Sequence, residues 1–177
     1  VDDALNWIRQ IAGYRNGYIK VLSLTGGEPF YNMDKLKRTS AFGEACGLLV
    51  SVVTNAFWAF TQQEAVRIIS ELPSIKMLAI SADAYHQETI PFERVKNAIL
   101  AAQECNIPYN IAVCTENEDD DEHKKLLNKL LEITEIDTIN VAVTFPAGRA
   151  LKKLGILKHK TTEDPPISAC SAGSSPI

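Results

Sequence analysis

Apolar residues along this chain switch repeatedly between a helical spacing and short continuous runs. Leu5, Ile8 and Ile11 share one helical face behind Asp2 and Asp3, either of which can cap a helix running to about Tyr14, and Gly17 closes it. Residues 18–24 then form a strand-like run that stops at Thr25-Gly26-Gly27-Glu28-Pro29. A helix is predicted from near Met33 to Ala45, with Gly47 just past its end, followed by a strand over 48–53 that stops at Thr54-Asn55. Thr61 with Glu64 three residues on is a capping box, and the helix it opens ends before Pro73. Residues 75–80 are a third strand, ending at Ser81-Ala82-Asp83. Pro91 opens a helix with Val95, Ile99 and Ala102 on one face, and 109–114 are a fourth strand. Residues 119–132 read as a helix whose acidic first turn suits the helix dipole, and 136–143 as a fifth strand ending at Thr144-Phe145-Pro146.

Short apolar strands alternating with helices predict a parallel α/β sheet, expected to be buried on both faces. A closed (β/α) barrel needs about 250 residues, so 177 residues predict at most a partial one. The core fold is expected over residues 1–151. From Lys152 onward, Thr161 to Pro166 cannot continue a helix and a Ser-, Gly- and Ala-rich end follows, so 152–177 read as a tail of loop character with no second domain. With 46% hydrophobic residues the chain can build a real core. A net charge of −4 without a basic stripe excludes a nucleic-acid surface, and no apolar run is long enough to span a bilayer. Cys46, Cys105, Cys114 and Cys170 are scattered with no C-x-x-C pair, which excludes a zinc ribbon and reads as free thiols of a cytoplasmic protein.

Each predicted strand ends at a hydroxyl residue: Thr25, Thr54, Ser81, Thr115 and Thr144. The steps between them are about thirty residues, one strand-plus-helix unit. Polar groups at one repeated position share one rim of a parallel sheet, where ligands bind such folds. Glu28, Asn55, Asp83 and Glu116 fall at the same strand ends. For any one of these residues, capping the next helix and contacting a ligand are equally open roles. Gly26-Gly27 lets backbone approach a ligand closely, Glu28 adds an acceptor for a cationic amine, and Pro29 stiffens the exit. No lysine follows, so the turn suits an amino group and not a phosphate.

The segment 22–29, Leu-Ser-Leu-Thr-Gly-Gly-Glu-Pro, resembles the G-G-E-P signature of the radical S-adenosylmethionine (radical SAM) superfamily. Three later segments resemble the same family in the same order. Thr54-Asn55-Ala56 stands where members carry T-N-G, Ser81-Ala82-Asp83 resembles the S-x-D strand end, and Pro146-Ala147-Gly148-Arg149 resembles P-x-G-R. The resemblance implies a partial (β/α) barrel in which Gly26, Gly27, Glu28 and Pro29 hold the methionine amino group of S-adenosylmethionine. Asn55, Ser81 and Asp83 would lie by its ribose or carboxylate, and residues near 114–116 and 143–146 would border adenine or substrate. It also implies a [4Fe–4S] cluster, at which S-adenosylmethionine is cleaved reductively to a 5′-deoxyadenosyl radical.

The chain departs from the family in having no C-x-x-x-C-x-x-C. The expectation is that the cluster ligands, with one further strand, lie upstream of Val1, and that this fragment alone is inactive. The strand 18–24 would then present a bare edge open to dimer pairing. Cys170-Ser171-Ala172-Gly173 resembles the start of the cysteine-rich tail of peptide-modifying members, which points to a peptide or protein substrate. The other reading is a non-catalytic α/β binding or scaffold domain that kept the barrel without the cluster. Asp83 with His86 lacks a third metal ligand, so His86 reads as a site-rim or helix-start residue, and residues 116–123 lack the glycine and spacing of a calcium loop, so no metal site is assigned. Trp7, Trp58 and Phe60 are expected to pack in the interior, with Phe57-Trp58 as an alternative pocket wall.

Overall fold

The alternation read from the sequence is the alternation of the chain in space. A computed structural model describes residues 2–115 and 119–143. Its elements are α1 (Asp2–Gly13), β1 (Val21–Leu24), α2 (Met33–Ala45), β2 (Leu49–Thr54), α3 (Gln62–Ser70) and β3 (Ile75–Ser81). They continue with α4 (Ala84–Gln87), α5 (Phe92–Glu104), β4 (Tyr109–Thr115), α6 (Asp121–Leu131) and β5 (Ile139–Val143). Short 3₁₀ turns occupy Tyr14–Asn16, Pro29–Tyr31 and Ile136–Thr138. The first and last strands are therefore shorter than predicted, because the residues before β1 lie outside the ladder and 136–138 turn before entering β5. Glu116, Thr144, the segment 145–150 and the expected tail 152–177 with Cys170 lie outside the described residues.

All four strand pairs are parallel, and the strand order is β1-β2-β3-β4-β5. Crossovers between parallel strands are right-handed in about 98% of cases, and a sequential order then carries every helix to the same side. That is the singly wound arrangement of a partial (β/α) barrel.

Burial follows this geometry and corrects one expectation. Leu22, Val50, Val52, Leu78, Ile80, Ile111 and Val113 point to the helices and are buried. The alternate positions Val21, Ser23, Val53, Ala79, Ser81, Ala112 and Cys114 are half-buried or exposed. Ser51 is buried on this second face as well. Among the described residues, therefore, the helices cover one face fully and the other face is only partly covered. Continuous apolar runs were ambiguous because Val, Ala and Met on the open face keep the strands apolar throughout.

Helix packing is close where the sequence supplies small residues. Val95, Ala98, Ile99, Ala101 and Ala102 of α5 are fully buried, three of them alanines that let the helix lie near the sheet. At Gly43 of α2, an added Cβ would stand 2.7 Å from Leu22 Cδ2 and 3.1 Å from Val50 Cγ2, so any larger residue would have to displace these buried side chains. Among the described residues no helix is long and apolar enough to cross a membrane.

Candidate functional site at the strand C-termini

The parallel register brings the ends of β1, β2, β3 and β4 to one rim. β1 leads into Gly26 (φ +93°) and Gly27 (φ +57°), conformations that L side chains rarely adopt. A Cβ built on either glycine meets nothing within 4 Å. The turn is therefore shaped by backbone torsion, and its outer surface is open to a ligand.

What holds the turn is Glu28. Its Oε1 accepts from the Thr54 hydroxyl at 2.9 Å and from Phe30 N–H at 3.2 Å, and its Oε2 accepts from Asn55 N–H at 2.8 Å. The carboxylate caps the Pro29–Tyr31 turn, where Pro29 sacrifices no hydrogen bond because the first N–H would be unpaired. A carboxylate oxygen accepts about two bonds, so Oε1 is filled and Oε2 retains one acceptor position.

Thr54 is the counterpart across the strand boundary. Its hydroxyl donates to Glu28 and accepts from Ala56 N–H at 3.1 Å and from Trp58 Nε1–H at 2.9 Å, with only 1% of the residue exposed. The buried Trp58 ring stacks on Phe30, centroids 4.2 Å apart. Asn55 Oδ1 accepts from Phe57 N–H at 3.0 Å, bending the chain after β2. The loops after β1 and β2 are thereby fastened as one unit.

Ser81 ends β3 on the open face, and its hydroxyl has no partner among the described residues. Asp83 is buried at 3% exposure and caps α4, accepting from His86 N–H at 3.1 Å and from His86 Nδ1–H at 2.9 Å. Burial raises the Asp83 pKa, but the His86 ring and backbone N–H bonds outweigh it and leave the carboxyl below its ordinary range. His86 is raised, first by the Asp83 hydrogen bond, against its own desolvation, and further by the charges of Asp83 and Glu28. Cys114, on the open face of β4, is pushed up by burial and by Asp83. Between α4 and α6 lies a cavity of about 330 Å³ lined by Tyr85, Cys114, Thr115, Asp120 and His123.

The structure thus joins Glu28 and Asn55 by a direct bond, and both Glu28 and Asp83 act on His86. Thr54 was visible as one of five strand-end hydroxyls and as the first residue of the segment resembling T-N-G, not as the partner of Glu28. His86 carried no signal beyond its nearness to Asp83 in sequence. Among the described residues no three His, Cys, Asp or Glu side chains could hold a metal ion, and Asp120 caps α6 by accepting from His123 N–H. Of the aromatic residues expected inside, only Trp58 is buried; Trp7 is 63% exposed and Phe60 58% exposed. Trp7 lies on the outer side of a helix with one buried residue, Ile8, and Phe60 carries the Arg94 guanidinium over its ring.

Residues 1–130 match the sequence model of the family described as the radical SAM superfamily. The chain is also similar to "Putative peptide biosynthesis protein YydG" of Bacillus subtilis (strain 168), at 25% identity over 162 residues. That alignment covers 85% of this chain and 48% of the relative, so the chain spans about half the length of the curated protein it matches.

Proposed function

The chain belongs to the radical SAM superfamily, and from that premise we propose that it is the S-adenosylmethionine-binding part of an enzyme that modifies a peptide. The observation that carries this reading is the Gly26–Gly27 turn, open on its outer side and tied through Glu28 to the end of β2. A zwitterionic aminoacyl group needs close backbone approach and a fixed negative charge at its amine, and this turn offers both. Gly26, Gly27 and Glu28 would hold the amino end, with Pro29 setting the exit of the turn. Asn55, Ser81 and Asp83 border the neighbouring positions along the rim. The free Ser81 hydroxyl suits a ribose hydroxyl directly. Asp83 acts there with its carboxylate already committed to α4 and His86.

When bound beside a [4Fe–4S] cluster, S-adenosylmethionine supplies a 5′-deoxyadenosyl radical by reductive cleavage. The residues present do not form that cluster's site, since the four cysteines are scattered and no three-ligand group occurs among the described residues. What this chain contributes is binding and orientation. The peptide substrate is supported by the name of the Bacillus relative and by the second face of the sheet, where Ser23, Ala79 and Ala112 are small and not fully buried.

Gly27→Ala tests the reading. Its backbone conformation costs an alanine about 1 kcal/mol and the methyl meets no protein atom, so the variant folds. Equilibrium dialysis with S-adenosylmethionine should show binding to the wild type and at least a tenfold loss in the variant. Equal affinity in both would remove the turn from the ligand site.

A further inference from the structure

We infer that His86, its ring anchored to the Asp83 carboxylate, binds the carboxylate of the aminoacyl ligand whose amino group sits at the Gly26–Gly27 turn. This rests on the proposed S-adenosylmethionine site and assigns one of its anchors.

Three observations lead to it. The first is the commitment of the acidic groups. Glu28 spends three acceptor bonds on the chain and Asp83 spends its carboxylate on α4 and the His86 ring. Neither can serve a ligand carboxylate, which needs a donor. The second is the fixed pose of the ring. With Nδ1–H directed to a buried acceptor at 2.9 Å, the far edge of the imidazole, carrying Nε2, is turned away from Asp83, and the side chain is 39% exposed. No partner for Nε2 occurs among the described residues. The third is placement. Glu28 is bonded to Thr54, and Thr54 pairs with Ile80 of β3, so the loops that carry Glu28 and His86 leave neighbouring strands at one rim, where the Glu28 charge adds to the raised His86 pKa. A carboxylate with its own positive amine fits a site that presents an acid at one end and an N–H donor at the other.

The charges that act on His86 are those of Asp83 at the end of β3 and Glu28 after β1. The other titratable groups on the adjoining elements are Cys114 on β4, itself raised by Asp83, and Asp120 and His123 of α6, which line the neighbouring cavity. Lys35 is a cation beside the glycine turn, lining a small cleft with Thr25, Gly26 and Glu28.

The test is isothermal titration of the chain with S-adenosylmethionine and with its decarboxylated analogue, which keeps nucleoside, sulfonium and amine. His86→Gln retains a neutral polar side chain, and thermal melting verifies that the variant is folded. The expected result is a tenfold or greater loss for S-adenosylmethionine and less than twofold for the analogue. In wild type the preference for the carboxylate should also decline as pH rises through a value above 6.5, and His86→Gln should abolish that decline. The ligand amine titrates equally against both proteins, so the comparison isolates the ring. Equal weakening toward both ligands, or no weakening, overturns the inference while leaving the S-adenosylmethionine site intact. Selective weakening by Lys35→Ala with His86→Gln silent moves the role to Lys35 and likewise overturns it. A wild type that binds neither ligand overturns the site and this assignment together.

Discussion

Thr54 has one hydroxyl with one proton and two lone pairs, and all three are used. Replacing it by valine keeps the shape and leaves Trp58 Nε1–H and Ala56 N–H without acceptors in a buried place. Two unsatisfied buried donors cost about 1–3 kcal/mol each. Thr54→Val should therefore lower unfolding free energy by about 3 kcal/mol in urea titration, while Thr54→Ser should lose about 1 kcal/mol. A valine variant as stable as wild type would mean the hydroxyl is not the tie between the loops. Ala56 next to it has φ +63° and is fully buried. Glycine there would relieve about 1 kcal/mol of left-handed strain but lose about 0.8 kcal/mol of buried methyl. Ala56→Gly should thus melt within a few degrees of wild type, whereas Ala56→Val should fall well below it. The sequence marked Thr54 as a strand-end hydroxyl and Ala56 as standing in a glycine's place. It did not reveal the link to Glu28, because that link joins residues 26 positions apart through a strand register.

Longer elements were legible because many residues vote for each. α2 runs from Met33 to Ala45 as its spacing predicts, and Thr61 caps α3 by accepting from Glu64 N–H. α4, with four residues, has no period to read, and its cap, Asp83, was open between two roles. In the structure the capping role is filled, and the pair it makes with His86 gives α4 a pH dependence. His86 is raised above 6.5, so its contribution is complete below that value and is lost as pH rises through its folded pKa. Asp83 is lowered below 3.8, so its contribution is complete above that value and is lost as pH falls through its folded pKa. Asp83→Asn keeps a good cap and removes the charge. The His86 ring resonance, followed by NMR, should titrate above 6.5 in wild type and at a lower pH in Asp83→Asn. An unchanged midpoint would show that the pair does not set the ring's charge.

At the scale of the whole molecule the sheet has two faces with different duties, and adjacent residues of β3 separate them. Ile80 is fully buried against the helices, whereas Ala79 is half-buried on the open face. The apolar run 75–80 could not distinguish these faces, since both carry apolar side chains; the sequential strand order distinguishes them by sending all helices to one side. Ile80→Ala should cost about 3 kcal/mol through lost transfer energy and a residual cavity. Ala79→Leu adds bulk where no helix packs, so stability should change by about 1 kcal/mol or less. Its effect belongs to the ligand: the larger side chain rises from the row shared by Val53 and Asn110, which pair with Ala79 on either side. If this face receives the peptide, Ala79→Leu should weaken peptide binding at least tenfold while S-adenosylmethionine, held at the rim, binds as before. Urea titration and two binding isotherms decide the matter. A leucine variant that unfolds readily would mean the face is a packed surface, and one that binds peptide normally would place the substrate elsewhere.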